Sequence, residues 1–241
     1  MAADSLDGKK LVLVGGASGI GYAVAKAALD CGAKIVVGSS RRESIDAAVG
    51  RLGGGAEGFT VDVNDEGEVA RFFERLGGYD HLVFTAGDWG GGFGGGSLAQ
   101  LDLTAAKATF AVRFWGALAV VKHGHGRIAE GGSITLTDGL LAHRPLKGAA
   151  VNTAMLGAIE HLTRALAVDL APVRVNAVCP GLVLTERSTS LPEELLRRFT
   201  SRLPLPRGAE PAEVAQAYLY LMRAGFTTGQ VLMVDGGASV V

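Results

Sequence analysis

Three glycines, Gly15, Gly19 and Gly21, stand in the spacing G-x-x-x-G-x-G within "VGGASGIG". The run follows a short apolar segment, "KLVLVG", and opens an amphipathic one, "IGYAVAKAALDCG". Glycine lets a chain turn sharply and approach a ligand with its backbone, and the helix that follows offers unpaired N–H groups to phosphate oxygens. The unit therefore reads as a pyrophosphate cradle, and a ligand-free tight turn is its alternative. A second group of chemically able residues follows the next apolar run. In "GSSRRE", Ser39 stands where an acid would bind ribose hydroxyls, and Ser40, Arg41 and Arg42 come next. Hydroxyls and guanidinium groups favour an extra phosphate, so the expected ligand is NADP(H). The alternative for Arg42, and less so for Arg41, is that it caps a solvated helix start. His123 and His125 have a metal-like spacing but no cluster of Asp, Glu or Cys near them in sequence, so no metal is expected.

The elements that must carry these residues alternate along the chain. Short β-branched runs ("KLVLVG", "AKIVVGS", "GFTVDV", "DHLVFTAG", "GSITLTD", "VRVNAVCPG", "QVLMVDGG") are separated by amphipathic stretches, with helices predicted near 149–170 and 192–202. Nearly continuous apolar strands suit a parallel sheet covered on both faces. The predicted fold is α/β: a doubly wound, Rossmann-like parallel sheet with helices on both faces. At 241 residues with no linker or repeat, 1–241 reads as a single dinucleotide-binding domain. The glycine-rich stretch "GDWGGGFGGGS" reads as a mobile loop at the rim of a site rather than a boundary. A formal net charge of −1 excludes a basic bias toward nucleic acid. No signal peptide or membrane-length apolar run is read in the sequence, and Cys31 and Cys179 form no C-x-x-C pair. The expected location is the cytoplasm.

With these motifs in place, the chain resembles the short-chain dehydrogenase/reductase family over nearly its whole length. "GGASGIG", including Ser18 and Ile20, resembles the family's cofactor motif, with Val14 in place of its threonine. Asp62 and Val63 in "VDV" match the adenine contact, and Ala86 and Gly87 match the end of the Asn-Asn-Ala-Gly segment. "RVNAVCPGLVLTE" is similar to the stretch after the sixth strand, which implies that Pro180, Gly181, Val183 and Thr185 border the nicotinamide. The resemblance implies a small-molecule substrate and a homo-oligomer, a tetramer or a dimer, built partly from helices near 101–122 and 149–170.

The same resemblance implies where catalysis should sit, and there the sequence departs from it. The family uses Asn, Ser, Tyr and Lys. Alignment puts Arg113, Asp138, Val151 and Met155 at those positions. Valine has no proton to give, methionine has no charge, and guanidinium stays protonated. Asp138 could donate a proton only if burial raised its pKa. As a carboxylate it would pair with a cation such as an iminium ion. The alternatives are a turn aspartate for Asp138, a surface or interface ion pair for Arg113, and apolar packing for Val151 and Met155. His143 at the pocket rim is a second candidate proton source, and Trp89 in the glycine-rich loop could stack on a flat substrate. The expected function is an NADPH-dependent reductase with a non-standard site, taking an imine, iminium or other acceptor. The rivals are a silent NADP(H)-binding regulator or partner subunit, and non-redox cyclisation or isomerisation.

Overall fold

The computed structural model describes residues 5–87 and 97–241. Seven parallel strands form one sheet in the order β3-β2-β1-β4-β5-β6-β7. They are β1 (Lys10–Val14), β2 (Lys34–Ser39), β3 (Ala56–Thr60), β4 (Tyr79–Phe84), β5 (Ile128–Thr137), β6 (Arg174–Pro180) and β7 (Val231–Val234). The order reverses between β1 and β4, and ligands in such sheets bind at that switch point, beyond the strand C-termini. On one face pack α1 (Gly19–Asp30), α2 (Arg42–Leu52) and α8 (Pro211–Arg223), sealed by Leu13, Val24, Val37, Val214 and Tyr218. On the other lie α3 (Glu66–Leu76), α4 (Leu103–Phe110), α5 (Ala117–Gly124) and α6 (Ala150–Asp169), around Val12, Phe72, Leu82, Val121 and Ile159. α7 (Glu193–Thr200) follows β6 above the C-terminal edge. The central strands are buried along nearly their whole length, because helices cover both faces.

Local chemistry sets the ends of these elements. α1 stops at Gly32, whose φ of +85° turns the chain with its N–H bonded to the Leu29 carbonyl at 2.9 Å. The third strand begins earlier than its sequence suggests. "GFTVDV" continues past β3 into a turn in which Asp62 Oδ1 accepts from the Asn64 backbone N–H at 2.9 Å, and that side-chain bond ends the ladder. Between α4 and α5 the chain winds as a π-helix, Ala111–Gly116. Such wide turns are frequent at functional sites, and this one carries Arg113. The continuous helix Leu103–Arg127 is long and apolar enough, by length and composition alone, to cross a membrane. Here Ala117, Val120 and Val121 on it pack against the sheet.

Candidate active site

A cleft of about 1210 Å³ opens at the C-terminal edge of the sheet, above the switch point. Its inner wall is the glycine turn. A Cβ on Gly15 would fall 2.3 Å from the Ala86 backbone nitrogen, and one on Gly21 would fall 2.3 Å from the Gly15 carbonyl oxygen. Both glycines are therefore required by backbone contact, and Gly15 also has a φ of +93°. Ser18 precedes α1 without capping it through its side chain, and the first turn of α1 holds no acid. The helix thus presents free N–H groups and its positive end to the cleft. Ser18, Gly19, Ile20, Ser39, Ser40, Arg41, Asp62, Val63, Ala86 and Gly87 line this half, and Pro180, Gly181, Val183 and Thr185 close it from the β6 side. Arg42 is the exception among the expected contacts. It does not line the cleft, because its Nε bonds Asp46 one helical turn on, at 3.0 Å. It sits at the start of a solvated helix.

Arg113 and Asp138 both line the cleft floor. The π-helix turns Arg113 inward, where it is 7 % exposed and its guanidinium packs on Gly87; a Cβ there would fall 2.5 Å from Nη2. Asp138 is placed by strand alternation. Thr137, the last residue of β5, points to the α8 face, where its hydroxyl donates to the Phe84 carbonyl at 2.7 Å and lies 2.8 Å from the Tyr218 hydroxyl. The next side chain must point to the α6 face, and there Asp138 meets Glu160 and Cys179. Asp138 is 1 % exposed. Neither of its oxygens is held in a well-aligned hydrogen bond, although Glu160 lies within reach. Burial and the neighbouring Glu160 carboxyl push the Asp138 pKa up to about 8. The group is thus an acid at neutral pH. Burial and the Asp138 carboxyl push the Cys179 thiol up as well.

The helix α6 faces the cleft one residue out of phase with the positions deduced from sequence. Leu156 lines the cleft and packs over Gly139 at 3.2 Å, and Asn152, four residues earlier on the same face, is buried. Val151 is half-buried and Met155 is in the apolar core; neither lines the cleft. The correction follows from helix geometry, since one residue rotates a side chain by about 100°. His143 is also absent from the wall, which Arg144 forms instead. His143 lies behind Asp138, with Nε2 2.5 Å from Glu160 Oε1. Trp89 lies outside the described residues. Of the histidines weighed as metal ligands, His123 pairs with Glu66 and His125 bonds the Val121 carbonyl. Donor atoms of Asp138, His143 and Cys179 do gather within 4.8 Å of one another. Asp138 and His143 share the connection between β5 and α6 while Cys179 comes from β6, so the group joins two segments that the sequence does not bring together.

Sequence reasoning missed Glu160, Leu156 and the outer rim, where Leu146, Arg198, Phe199 and Arg202 line the cleft. Glu160 had a legible signal. It is an acid eight residues beyond Asn152, on a helix face that is apolar at Leu156, Ile159 and Leu166.

Known proteins share this architecture. Residues 15–239 match the family described as Enoyl-(Acyl carrier protein) reductase. The Short-chain dehydrogenase/reductase ATR9 of Stachybotrys chlorohalonatus is 34 % identical, covering 97 % of this chain and 98 % of the relative. A small-chain dehydrogenase crystallised in complex with NADPH is 33 % identical with a TM-score of 0.80, covering 98 % of this chain and 100 % of that one. The MalC Reductase/Diels-Alderase from Malbranchea aurantiaca superimposes with a TM-score of 0.90 at 30 % identity, covering 99 % and 98 %. With the switch-point cleft, the glycine cradle and these full-length likenesses together, the chain belongs to the short-chain dehydrogenase/reductase family.

Proposed function

We propose that this chain is an NADPH-dependent reductase that delivers hydride to the carbon of an imine, with Asp138 giving the proton to nitrogen. The observation that carries this reading is Asp138 itself, an acid on the cleft wall that burial and Glu160 keep protonated at neutral pH. NADPH, when bound, supplies the hydride. The cradle suits it: Gly15, Gly19 and Gly21 with the open first turn of α1 would hold the pyrophosphate, and Asp62 and Val63 the adenine. Ser40 and Arg41 would hold the 2′-phosphate, and Pro180, Gly181, Val183 and Thr185 would border the nicotinamide. The NADPH complex of a structural neighbour supports the choice.

A proton donor works best when its pKa lies near the working pH and near that of its acceptor. An acid near 8 is matched to an imine nitrogen and poorly matched to a ketone oxygen. As the Asp138 O–H bond breaks and the N–H bond forms, a carboxylate is left against an iminium cation. That pairing offsets the repulsion of Glu160 and favours hydride addition at the adjoining carbon. Arg113 cannot give a proton, so its role is to orient a carbonyl or anionic group of the substrate. Asn152 and Leu156 on the cleft-facing side of α6 carry no acid, which separates this site from the family's Tyr-Lys arrangement. A silent binding protein would gain nothing from an acid whose ionisation opposes its own fold.

The test is NADPH oxidation with cyclic imines, enones and ketones. Imines should turn over fastest, and Asp138→Asn should lower that rate by roughly 10²-fold. Ketone turnover that is faster and indifferent to Asp138→Asn overturns the reading. Firm NADPH binding without any turnover selects the silent protein. The name of the MalC relative favours one second reading, a cyclisation in the same cleft. Product analysis of a diene-bearing imine distinguishes a reduced product from its cyclised isomer.

We also infer a homo-oligomer. Leu103 and Trp115 are 69 % and 59 % exposed on the helix that ends at Arg127, as is Val168 (78 %) on α6. Faces this apolar are normally buried between subunits. Light scattering should give a dimer or tetramer mass. The free thiols of Cys31 and Cys179 fit a reducing compartment such as the cytoplasm.

A further inference from the structure

An acid that spends a proton on every turnover must regain one, yet Asp138 is 1 % exposed and faces the substrate on its open side. Behind it lies a chain of proton-carrying groups with rising exposure. The Glu160 side chain is 9 % exposed, and that of His143 is 38 % exposed. His143 Nε2 stands 2.5 Å from Glu160 Oε1, and a His143 ring nitrogen lies within 4.8 Å of an Asp138 oxygen. Arg164 Nη2, at 3.2 Å, holds the other Glu160 oxygen. Arg164 thus anchors one Glu160 oxygen, while the other, Oε1, has the His143 ring beside it without an aligned hydrogen bond and is left able to take a proton.

We propose that Glu160 and His143 are positioning residues that form the path by which solvent reprotonates Asp138, with His143 at its outer end. This inference rests on the reading of Asp138 as the proton donor. Once Asp138 has given its proton to the substrate, two carboxylates face each other in a dry site, an arrangement strongly disfavoured. The Nε2–H bond of His143 breaks as its proton passes to Glu160, and the Glu160 proton passes to Asp138. The neutral imidazole then takes a proton from water. One proton enters per hydride transferred, and every group returns to its starting state. Imidazole is the side chain that exchanges protons with water near neutral pH.

The other groups facing Asp138 do not compete. Cys179 on β6 is buried and its thiol is pushed up, so it neither supplies protons nor reaches solvent. Tyr218 on α8 is likewise pushed up by burial, and its hydroxyl is bonded to Thr137. Arg113 of the π-helix and Arg164 of α6 stay charged. Asp235, beyond β7, bears on Cys179 and is bonded to the backbone of Gly237 and Ser239.

Two variants test the path. His143→Ala should slow imine reduction roughly tenfold at alkaline pH, and added imidazole should restore the rate in proportion to the imidazolium concentration. Glu160→Gln removes the carboxyl that, after burial, does most to hold the proton on Asp138. The infrared band of the buried protonated carboxyl, read on cofactor-free protein, should then titrate at least one pH unit lower, and the alkaline limb of the rate profile should move with it. An unchanged pH–rate profile and no imidazole rescue in His143→Ala overturn the path even if Glu160→Gln does not fold. Loss of the acid role itself has a different signature: Asp138→Asn would keep its rate, and the infrared band assigned to Asp138 would survive that substitution.

Discussion

The two halves of the cleft obey different rules. The cofactor half is built from backbone: glycines that no side chain can replace, a helix start, and a turn after β6. The chemical half is built from side chains that reach the floor from separate elements, Arg113 from a π-helix, Asp138 from the end of β5, and Glu160 from the middle of α6. A backbone site tolerates little change, because its neighbours cannot move aside. A side-chain site can exchange its acids while the scaffold stays. On the proposed reading, that contrast lets the cradle stay fixed while the acid is supplied by Asp138.

The sharpest way to break the comparison is to place a side chain in the backbone half. Gly21→Val would put Cβ 2.3 Å from the Gly15 carbonyl oxygen and 2.4 Å from Thr85 Oγ1. Relief requires moving β1 or α1. NADPH affinity measured by fluorescence titration should fall more than 100-fold, with a lower melting temperature. Gly19→Ala, where the nearest atom is a Thr185 methyl carbon at 3.2 Å, should be milder despite a φ of +52°. Equal effects of the two substitutions would mean that backbone contact is not what makes the cradle rigid.

The chemical half predicts the opposite sign for stability. The Asp138 pKa in the fold is about 8 against an ordinary 3.8. Below the lower value both folded and unfolded chains hold the proton, and nothing is lost. Between the two values the unfolded chain ionises while the fold retains the proton, so stability falls as pH rises, by up to about 1.4 kcal/mol per pH unit. Above about 8 the loss is complete. Asp138→Asn should therefore melt at a higher temperature than the parent, by a margin small at pH 5 and several degrees at pH 9, while its activity falls. A margin independent of pH would show that the carboxyl ionises freely in the fold.

The same division decided what the sequence disclosed. The glycine turn and the stretch after β6 are contiguous motifs, and Gly15, Gly19, Gly21, Pro180, Gly181, Val183 and Thr185 from them line the cleft. α6 shows where contiguity fails. Counting along the chain identifies the helix, but only packing against Gly139 fixes its phase, and an error of one residue exchanges Leu156 for Met155. His143 and Glu160 are 17 residues apart in the sequence, and their meeting with Asp138 depends on how α6 packs against the end of β5. The reading of Asp138 as a carboxylate awaiting a cation likewise lacked its burial and its neighbour Glu160, which together push its pKa up.

Within the cofactor half, Arg41 is the side chain on which discrimination rests. It lines the cleft at the entry to α2, next to Ser40. Arg41→Ala should weaken NADPH by on the order of 1–3 kcal/mol and leave NADH nearly unchanged. Equal losses for both cofactors would assign Arg41 to the fold rather than to the 2′-phosphate.

The smallest expected effect belongs to Arg42, and it separates neighbouring cations by geometry alone. Sequence gives the two arginines equal standing, since either could reach a phosphate beyond β2. The helix start divides them. Arg41 is the extended residue preceding α2, with φ −112° and ψ 117°, whereas Arg42 is the first helical residue and turns along the axis to Asp46. Its side chain is 66 % exposed, so the ion pair is solvated and screened and contributes at most about 0.5 kcal/mol. Arg42→Ala should change the melting temperature by a degree or two and leave the ratio of NADPH to NADH affinity within about twofold of the parent. A selective loss of NADPH as large as that from Arg41→Ala would mean that the phosphate pulls Arg42 from Asp46 on binding. The cofactor half would then depend on a side-chain rearrangement as well as on its preformed backbone.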